Sequence, residues 1–250
     1  MLYSEMMTTG ALIYGDRGQL LHHENDSPCA AQLAGNDPKS LSIAARMVED
    51  AGYQEVNLNC GCPSDRVQQA RIGACLMAEP NLVADCFNAM SSSVSIPVTI
   101  KSRIGIDHLD NFDFFNNFVS KIFEAGCRIF HVHARKAILK GLSPKENRDA
   151  PPLKYDYARK IRQCYPDAAF SLNGGIKDTA STMQLLTEFD GVMLGRAPYA
   201  NPHLLNEIDQ AIFNGEACDR FEIMMQYIEY VKQEQANGTH IKHMAKHILV

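Results

Sequence analysis

The sequence predicts a parallel α/β fold, and among parallel folds a (β/α)8 barrel. Three observations lead there. Runs rich in Val, Ile and Leu recur along the 250 residues, each followed by a helical or loop stretch, and alternating strand and helix demands a parallel sheet. No strand is followed by G-x-G-x-x-G, which weakens the competing open, doubly wound sheet. Polar residues collect at the C-terminal ends of the strands, where a barrel keeps its active site: Gln32, Asn59, Lys101, His131, His133, Asn173 and Arg196.

Taken in order, Tyr3–Met6 is a weak strand, and the polar, glycine-containing segment up to Ser27 reads as loop. Cys29–Leu33 is a strand. Asp37-Pro38 then supplies an N-cap and a proline at the first helical position, and a helix runs to about Ala51 with Ile43, Met47 and Val48 on one face. Val56–Leu58 is the next strand, broken at Gly61 and followed by a basic loop and a Gly73-Ala74 turn. Helices over Asn81–Met90 and Phe112–Ala125 flank the strand Pro97–Lys101, and Gly126 closes the second of them. Strand Arg128–His133, helix Leu153–Gln163, strand Ala168–Asn173, helix Asp178–Thr187 and strand Gly191–Leu194 continue the alternation. After the helix Pro202–Phe213 the pattern changes to one long helix, Phe221–Gln235, and a polar, helical remainder ending in HILV, with no further strand. Seven strands result, whereas eight close a barrel.

Composition narrows the class. Hydrophobic residues make up 46% and charged residues 21%, as in a soluble globular protein large enough to bury a full core. No apolar run reaches membrane-spanning length and the N-terminus has no signal-peptide pattern, so a cytoplasmic protein is expected. Eight cysteines without a regular framework read as reduced thiols. A net charge of −5 argues against a generally basic nucleic-acid coat.

The stretch from Glu55 to Pro80 carries the first chemical signal. An apolar strand ends in Asn59-Cys60-Gly61-Cys62-Pro63. Pro63 fixes its own φ, so the Cys62 thiol sits on a stiff bend at the sheet's mouth. That placement suits catalysis, and taken alone it suits an inert, buried cysteine better. His131 and His133 share one side of a strand, which is also how some metal-dependent hydrolases begin a metal site; one histidine inward with a satisfied hydrogen bond and one at the strand edge is the structural alternative. Against metal, no Asp or Glu closes another strand, Asp190 lies at the wrong end of its own, and Cys60-x-Cys62 lacks zinc spacing. Lys101, at a strand end, suits a phosphate or an electron-rich ring. Asn173-Gly174-Gly175 and Gly195-Arg196 end the last two strands, and a barrel's last two loops are its usual phosphate site. From Ala134 to Arg148 the chain holds Arg135, Lys136, Lys140, Lys145 and Arg148 against Glu146 alone. A solvated loop explains such a run; a polyanion laid across the pocket rim is the alternative.

These motifs, in this order, resemble the flavin-dependent tRNA-dihydrouridine synthases. The resemblance is carried by Gln32 in AQLAG, NLNCGCPSDRV at 57–67, GACLM at 73–77, IKSRIGID at 100–107, HARKAILKGLSPKENR at 133–148, NGGI at 173–176 and GR at 195–196. GACLM and the HARKA…GLSPKENR stretch look like the A-type branch. The resemblance implies a TIM barrel that binds FMN and uses NADPH to reload it. Cys62 would be the general acid that protonates C5 of the target uracil, with hydride going to C6. Gln32, Lys101 and His133 would contact the flavin ring and ribityl chain; Asn173, Gly174, Gly175, Gly195 and Arg196 would hold its phosphate. Asn59 would contact the flipped uridine or its neighbours, and Lys140, Lys145 and Arg148 the tRNA backbone. Cys75, in the close-packed GACLM turn, and Cys60 are expected to be structural. No metal and no membrane partner is implied, and a monomer is expected.

The resemblance also sets expectations for domains. Residues 1–214 would form the catalytic barrel, and 215–250 the start of a helical tRNA-binding domain. Family members begin with a strand and an Ala-Pro-Met-Met-type turn, whereas MLYSEMMTTG resembles their second strand. The missing eighth strand is therefore expected before residue 1, and more of the helical domain after Val250.

Overall fold

The computed structural model describes residues 1–22 and 27–245. Residues 23–26, within the segment read as loop, and the closing HILV stretch, read as helix, lie outside the described residues. Two compact units divide the chain: Met1–Gly174 with Phe189–Gly191, and Gly175–Glu188 with Val192–Val250.

In the first unit the strand expected at Tyr3–Met6 is instead two short ones, β1 (Leu2–Tyr3) and β2 (Met7–Thr8), both paired in parallel with β3 (Cys29–Ala34). The segment expected as loop holds α1 (Thr9–Tyr14) and α2 (Arg17–Leu20). Thr8 caps α1 by accepting the Ala11 N–H, and Leu12 is fully buried. A helix of 6 residues is too short to show a 3.6-residue period, which is why the sequence hides it. Next come α3 (Pro38–Asp50), capped by Asp37 as expected, and β4 (Glu55–Cys60). The expected basic loop contains a short helix, α4 (Asp65–Gln69), before a 3-10 turn at Gly73–Ala78. Then follow α5 (Pro80–Ser91), β5 (Val98–Arg103), α6 (Phe112–Glu124) and β6 (Ile129–His133). A 3-10 turn at Glu146–Arg148, α7 (Tyr155–Cys164) and β7 (Ala169–Asn173) complete the alternation.

All the registered strand pairs are parallel, and the strands follow chain order across the sheet. With β1 and β2 sharing one place beside β3, the order has the seven positions counted from sequence and is that of a (β/α)8 barrel. Even-numbered strand residues such as Val56, Leu58, Ile100, Phe130, Val132, Phe170 and Leu172 are buried and apolar. They meet the apolar sides of the helical layer, where α5 packs on both α3 and α6. Odd-numbered residues on β4 to β7 are almost all polar, and Asn57 and Thr99 are wholly buried. The strands therefore separate an oily outer face from a polar inner one.

The second unit holds α8 (Thr179–Leu186), capped by Asp178, and most of β8 (Gly191–Met193), which follows β7 in the sheet order. It continues with α9 (Arg196–Ala200), α10 (His203–Phe213), α11 (Arg220–Ala236) and α12 (Ile241–Ala245). No strand follows β8 among the described residues, as expected. Among the same residues, no helix is long and apolar enough to cross a membrane.

Candidate active site

The polar inner face is one connected hydrogen-bond network. At its foot the Tyr3 hydroxyl donates to Glu55 Oε1 at 2.8 Å and lies 2.9 Å from His131 Nε2. Thr99 Oγ1 donates to the same Glu55 oxygen at 2.6 Å. Asn57 Nδ2 donates to Thr99 Oγ1, Gln32 Nε2 to Asn57 Oδ1, and Asn59 Nδ2 to Gln32 Oε1, all within 2.7–2.8 Å. At the top, Asn59 Oδ1 accepts the N–H groups of Gly61 at 3.0 Å and Cys62 at 2.9 Å. Burial raises the Tyr3 pKa, and the adjacent Glu55 adds to the rise. Burial would raise Glu55 too, but hydrogen bonds from His131, Thr99 and Tyr3 outweigh it and hold the carboxyl below its usual range.

The network ends on the bend that carries the thiol, and the bend is held from three more directions. Arg103 Nε donates to the Gly61 carbonyl at 2.9 Å. Ala74 N–H donates to the Cys62 carbonyl at 2.9 Å. Gln68 Nε2 donates to the Pro63 carbonyl at 2.7 Å and to Leu139 O at 2.6 Å, tying α4 to the loop after β6. Gly73 has φ +67°, and a Cβ there would stand 2.6 Å from the Cys62 carbonyl and collide with Val67, so this position admits only glycine without displacing the bend. Cys62 itself is half-buried, with Sγ 3.6 Å from Ser64 Oγ. Cys60 is sealed in the core, where burial drives its pKa far up. Cys75 is half-buried and burial raises its thiol pKa also. The eight cysteines are thiols, not disulfides.

Lys101 and His133 stand in the same upper region. Lys101 is half-buried, reaches Asn173 Oδ1 at 3.5 Å and faces no carboxylate among the described residues. Burial, with Arg103 adding to it, brings its pKa down to about 8. His133 packs against Gly174, whose φ is +111° and whose added Cβ would stand 2.7 Å from the imidazole. His131 is a correction. It faces the same side as His133 but belongs to the foot of the interior, committed to Tyr3 and Glu55 rather than to the mouth. Among the described residues no three His, Cys, Asp or Glu side chains are placed to hold a metal, and Asp190 is engaged by Arg162 and by the Phe170 N–H. In the second unit, Gly175 has φ +78° and Arg196 is exposed at the start of α9.

The basic stretch after β6 is a built loop. Asn147 is fully buried; its Nδ2 donates to Ile138 O, Leu142 O and Ser143 O, and its Oδ1 accepts the Ile138 N–H. Lys136 is taken by Asp110 at 2.8 Å, whereas Lys140, Lys145 and Arg148 are exposed. Asn147→Ala should cost about 2–4 kcal/mol, since it strands several buried backbone groups at once, and should weaken polyanion binding as the three cations lose their spacing. Chemical unfolding and a filter-binding titration check this; an unchanged unfolding midpoint contradicts it.

Sequence reasoning missed Glu55, Asn57, Thr99, Arg103 and Asn147. A signal for the first four is present: Glu55-x-Asn57-x-Asn59, Thr99-x-Lys101-x-Arg103 and His131-x-His133 put polar residues at every second position of three successive strands.

A parallel sheet whose helix-free face climbs through amides to a clamped thiol defines a barrel enzyme that works at its strand ends. The sequence profile of the family described as dihydrouridine synthase (Dus) matches residues 1–250. The chain belongs to that family, and with it to the oxidoreductases. It is 51% identical to the tRNA-dihydrouridine(20/20a) synthase of Pseudomonas putida, over 100% of this chain and 75% of that relative. With the proteins of the same name from Yersinia pestis and Pseudomonas aeruginosa it shares 47% and 50% identity, again over 100% of this chain and over 73% and 76% of theirs.

Proposed function

We propose that this chain reduces the C5=C6 bond of a uridine at position 20 or 20a of tRNA, the positions in its relatives' names. The observation that carries the reading is the Cys62 bend: a half-buried thiol on a turn fixed from four sides, near the cations Lys101 and Arg103. Cys62 holds the proton that passes to C5. Asn59 contacts the uracil, which must first be extruded from the folded tRNA. Lys140, Lys145 and Arg148 meet the tRNA backbone, so binding should weaken steeply with salt.

FMN fits the residues present. Lys101 is a half-buried cation without a carboxylate partner among the described residues, and such a group suits an electron-rich ring or an anion. Gln32 and His133 join it along the ring and ribityl chain; the phosphate is assigned to Asn173, Gly174, Gly175, Gly195 and Arg196 on their sequence motifs. When bound and reloaded by NADPH, FMN supplies the hydride that goes to C6. Residues 1–214 are proposed as the catalytic barrel and 215–250 as a tRNA-gripping segment, in a monomeric cytoplasmic enzyme.

The test supplies the protein with FMN, NADPH and unmodified tRNA and reads dihydrouridine by nucleoside mass spectrometry mapped to position. Dihydrouridine at 20 or 20a is expected. A protein that binds flavin and oxidises NADPH yet leaves those uridines unreduced would refute the reading.

A further inference from the structure

Below the thiol bend lie three side chains, Glu55, Asn57 and Thr99, to which the proposed chemistry gives no role. Five side chains, Glu55, Thr99, Asn57, Gln32 and Asn59, form an unbroken series of hydrogen bonds from the foot of the interior to the Cys62 N–H. We infer that Glu55 is a positioning residue for Cys62, because its carboxylate fixes the direction in which every member of that series donates.

The oxygen and nitrogen ends of an Asn or Gln amide have nearly the same shape, so each of the three amides fits its place in either orientation. Their hydrogen bonds decide. An ionised carboxylate only accepts, so Thr99, 2.6 Å from Glu55 Oε1, spends its one proton there. Its oxygen can then only accept from the next member, and Asn57 must turn Nδ2 toward it. That leaves Asn57 Oδ1 facing Gln32, which must present Nε2. Gln32 Oε1 in turn requires Nδ2 of Asn59, and Asn59 Oδ1 is left to receive the backbone N–H groups of Gly61 and Cys62. Backbone N–H groups only donate, so an acceptor-only group at one end matches donor-only groups at the other. The series has one self-consistent direction.

A neutral amide at position 55 removes that constraint. It could donate to Thr99, and the Thr99 proton would then point at Asn57. With only the backbone end left to set the direction, all three amides can invert, turning Asn59 Nδ2 onto the Gly61 and Cys62 N–H groups. Donor would face donor, and the bend would have to leave. Tyr3, 2.8 Å from the carboxylate, and His131, 3.6 Å from it, keep Glu55 in its accepting form.

The test compares Glu55→Gln, Thr99→Val and Thr99→Ser with the parent protein, measuring hydrogen–deuterium exchange of the Gly61 and Cys62 amides and turnover of unmodified tRNA. Glu55→Gln and Thr99→Val should speed exchange at those two amides about tenfold, the upper weight of the neutral hydrogen bond that each makes to Asn59. Exchange in α3 and α5 should stay as in the parent. Turnover should fall by a similar factor with the KM for tRNA unchanged, and Thr99→Ser, which keeps the hydroxyl, should match the parent. Unchanged exchange at Gly61 and Cys62 in Thr99→Val overturns the inference, as does a Thr99→Ser variant as damaged as Thr99→Val. If Glu55→Gln does not fold, the two Thr99 variants decide alone. The turnover arm rests on Cys62 being the acid and the exchange arm does not: faster exchange with unchanged turnover supports the relay and removes the acid assignment.

Discussion

Cys62→Ala is expected to lower uridine reduction by about 10²- to 10⁴-fold, the usual worth of a positioned general acid, while the protein keeps its flavin. The two halves of that result have separate causes. Removing the sulfur takes away the proton that the proposed mechanism delivers to C5. It leaves in place the bonds that shape the bend, since the Cys62 N–H to Asn59 and the Cys62 carbonyl to Ala74 belong to the backbone. The flavin contacts assigned to Gln32, Lys101 and His133 are likewise untouched. Cys75→Ala should cost much less. Cys75 lies in the 3-10 turn Gly73–Ala78 between the buried Ala74 and Leu76, with a thiol held protonated by burial. Visible absorbance reads the flavin and nucleoside analysis reads the product. If Cys75→Ala is the more damaging of the two, the acid belongs at Cys75.

Arg103→Met should be the most destabilising single change near the site, by about 2–5 kcal/mol, because three carbonyls, one buried and two half-buried, lose a cationic donor at once. Arg103 is 3% exposed. It donates through Nε to Gly61 O, and through Nη1 to Lys136 O and Asn147 O, each at 2.9 Å. Burial lowers its pKa to about 10, with Arg135 and Arg148 adding to the effect, so it remains charged at neutral pH. One side chain thus joins the Cys62 bend to both ends of the basic loop. Methionine fills the volume and supplies no donor. Lysine should not rescue, since a single ammonium cannot reproduce a planar fork that spans two segments. Thermal unfolding should show a fall of about 5–15 °C, with loss of activity beyond what instability explains. A variant that melts with the parent would show that the clamp contributes nothing.

Much of this was legible in the sequence, and the failures share a physical origin. Strands rich in Val, Ile and Leu and helices with clear caps, Asp37 before Pro38 and Asp178 before Thr179, could be placed because their signals are local. The Cys62 bend was legible because Cys-Pro after an apolar strand is itself a local signal. Arg103 was not, for its partners are backbone carbonyls 42, 33 and 44 positions away with no side-chain signature. Asn147 sits in KENR, which reads as a solvated charge run until the loop closes around its amide. His131 was given the right side of its strand and the wrong depth, because depth is set by Tyr3 and Glu55, far off in sequence.

The alternation along β4, β5 and β6 has a last consequence. Cohesion is written on the even residues and reactivity on the odd ones, so two demands on the same few strands never compete for a position. The arrangement tolerates exchange within each set and is intolerant of any change of phase. One residue inserted ahead of Val98 would present Ile100 to the polar inner side and turn the Lys101 ammonium toward the apolar outer one, spoiling fold and chemistry in a single step.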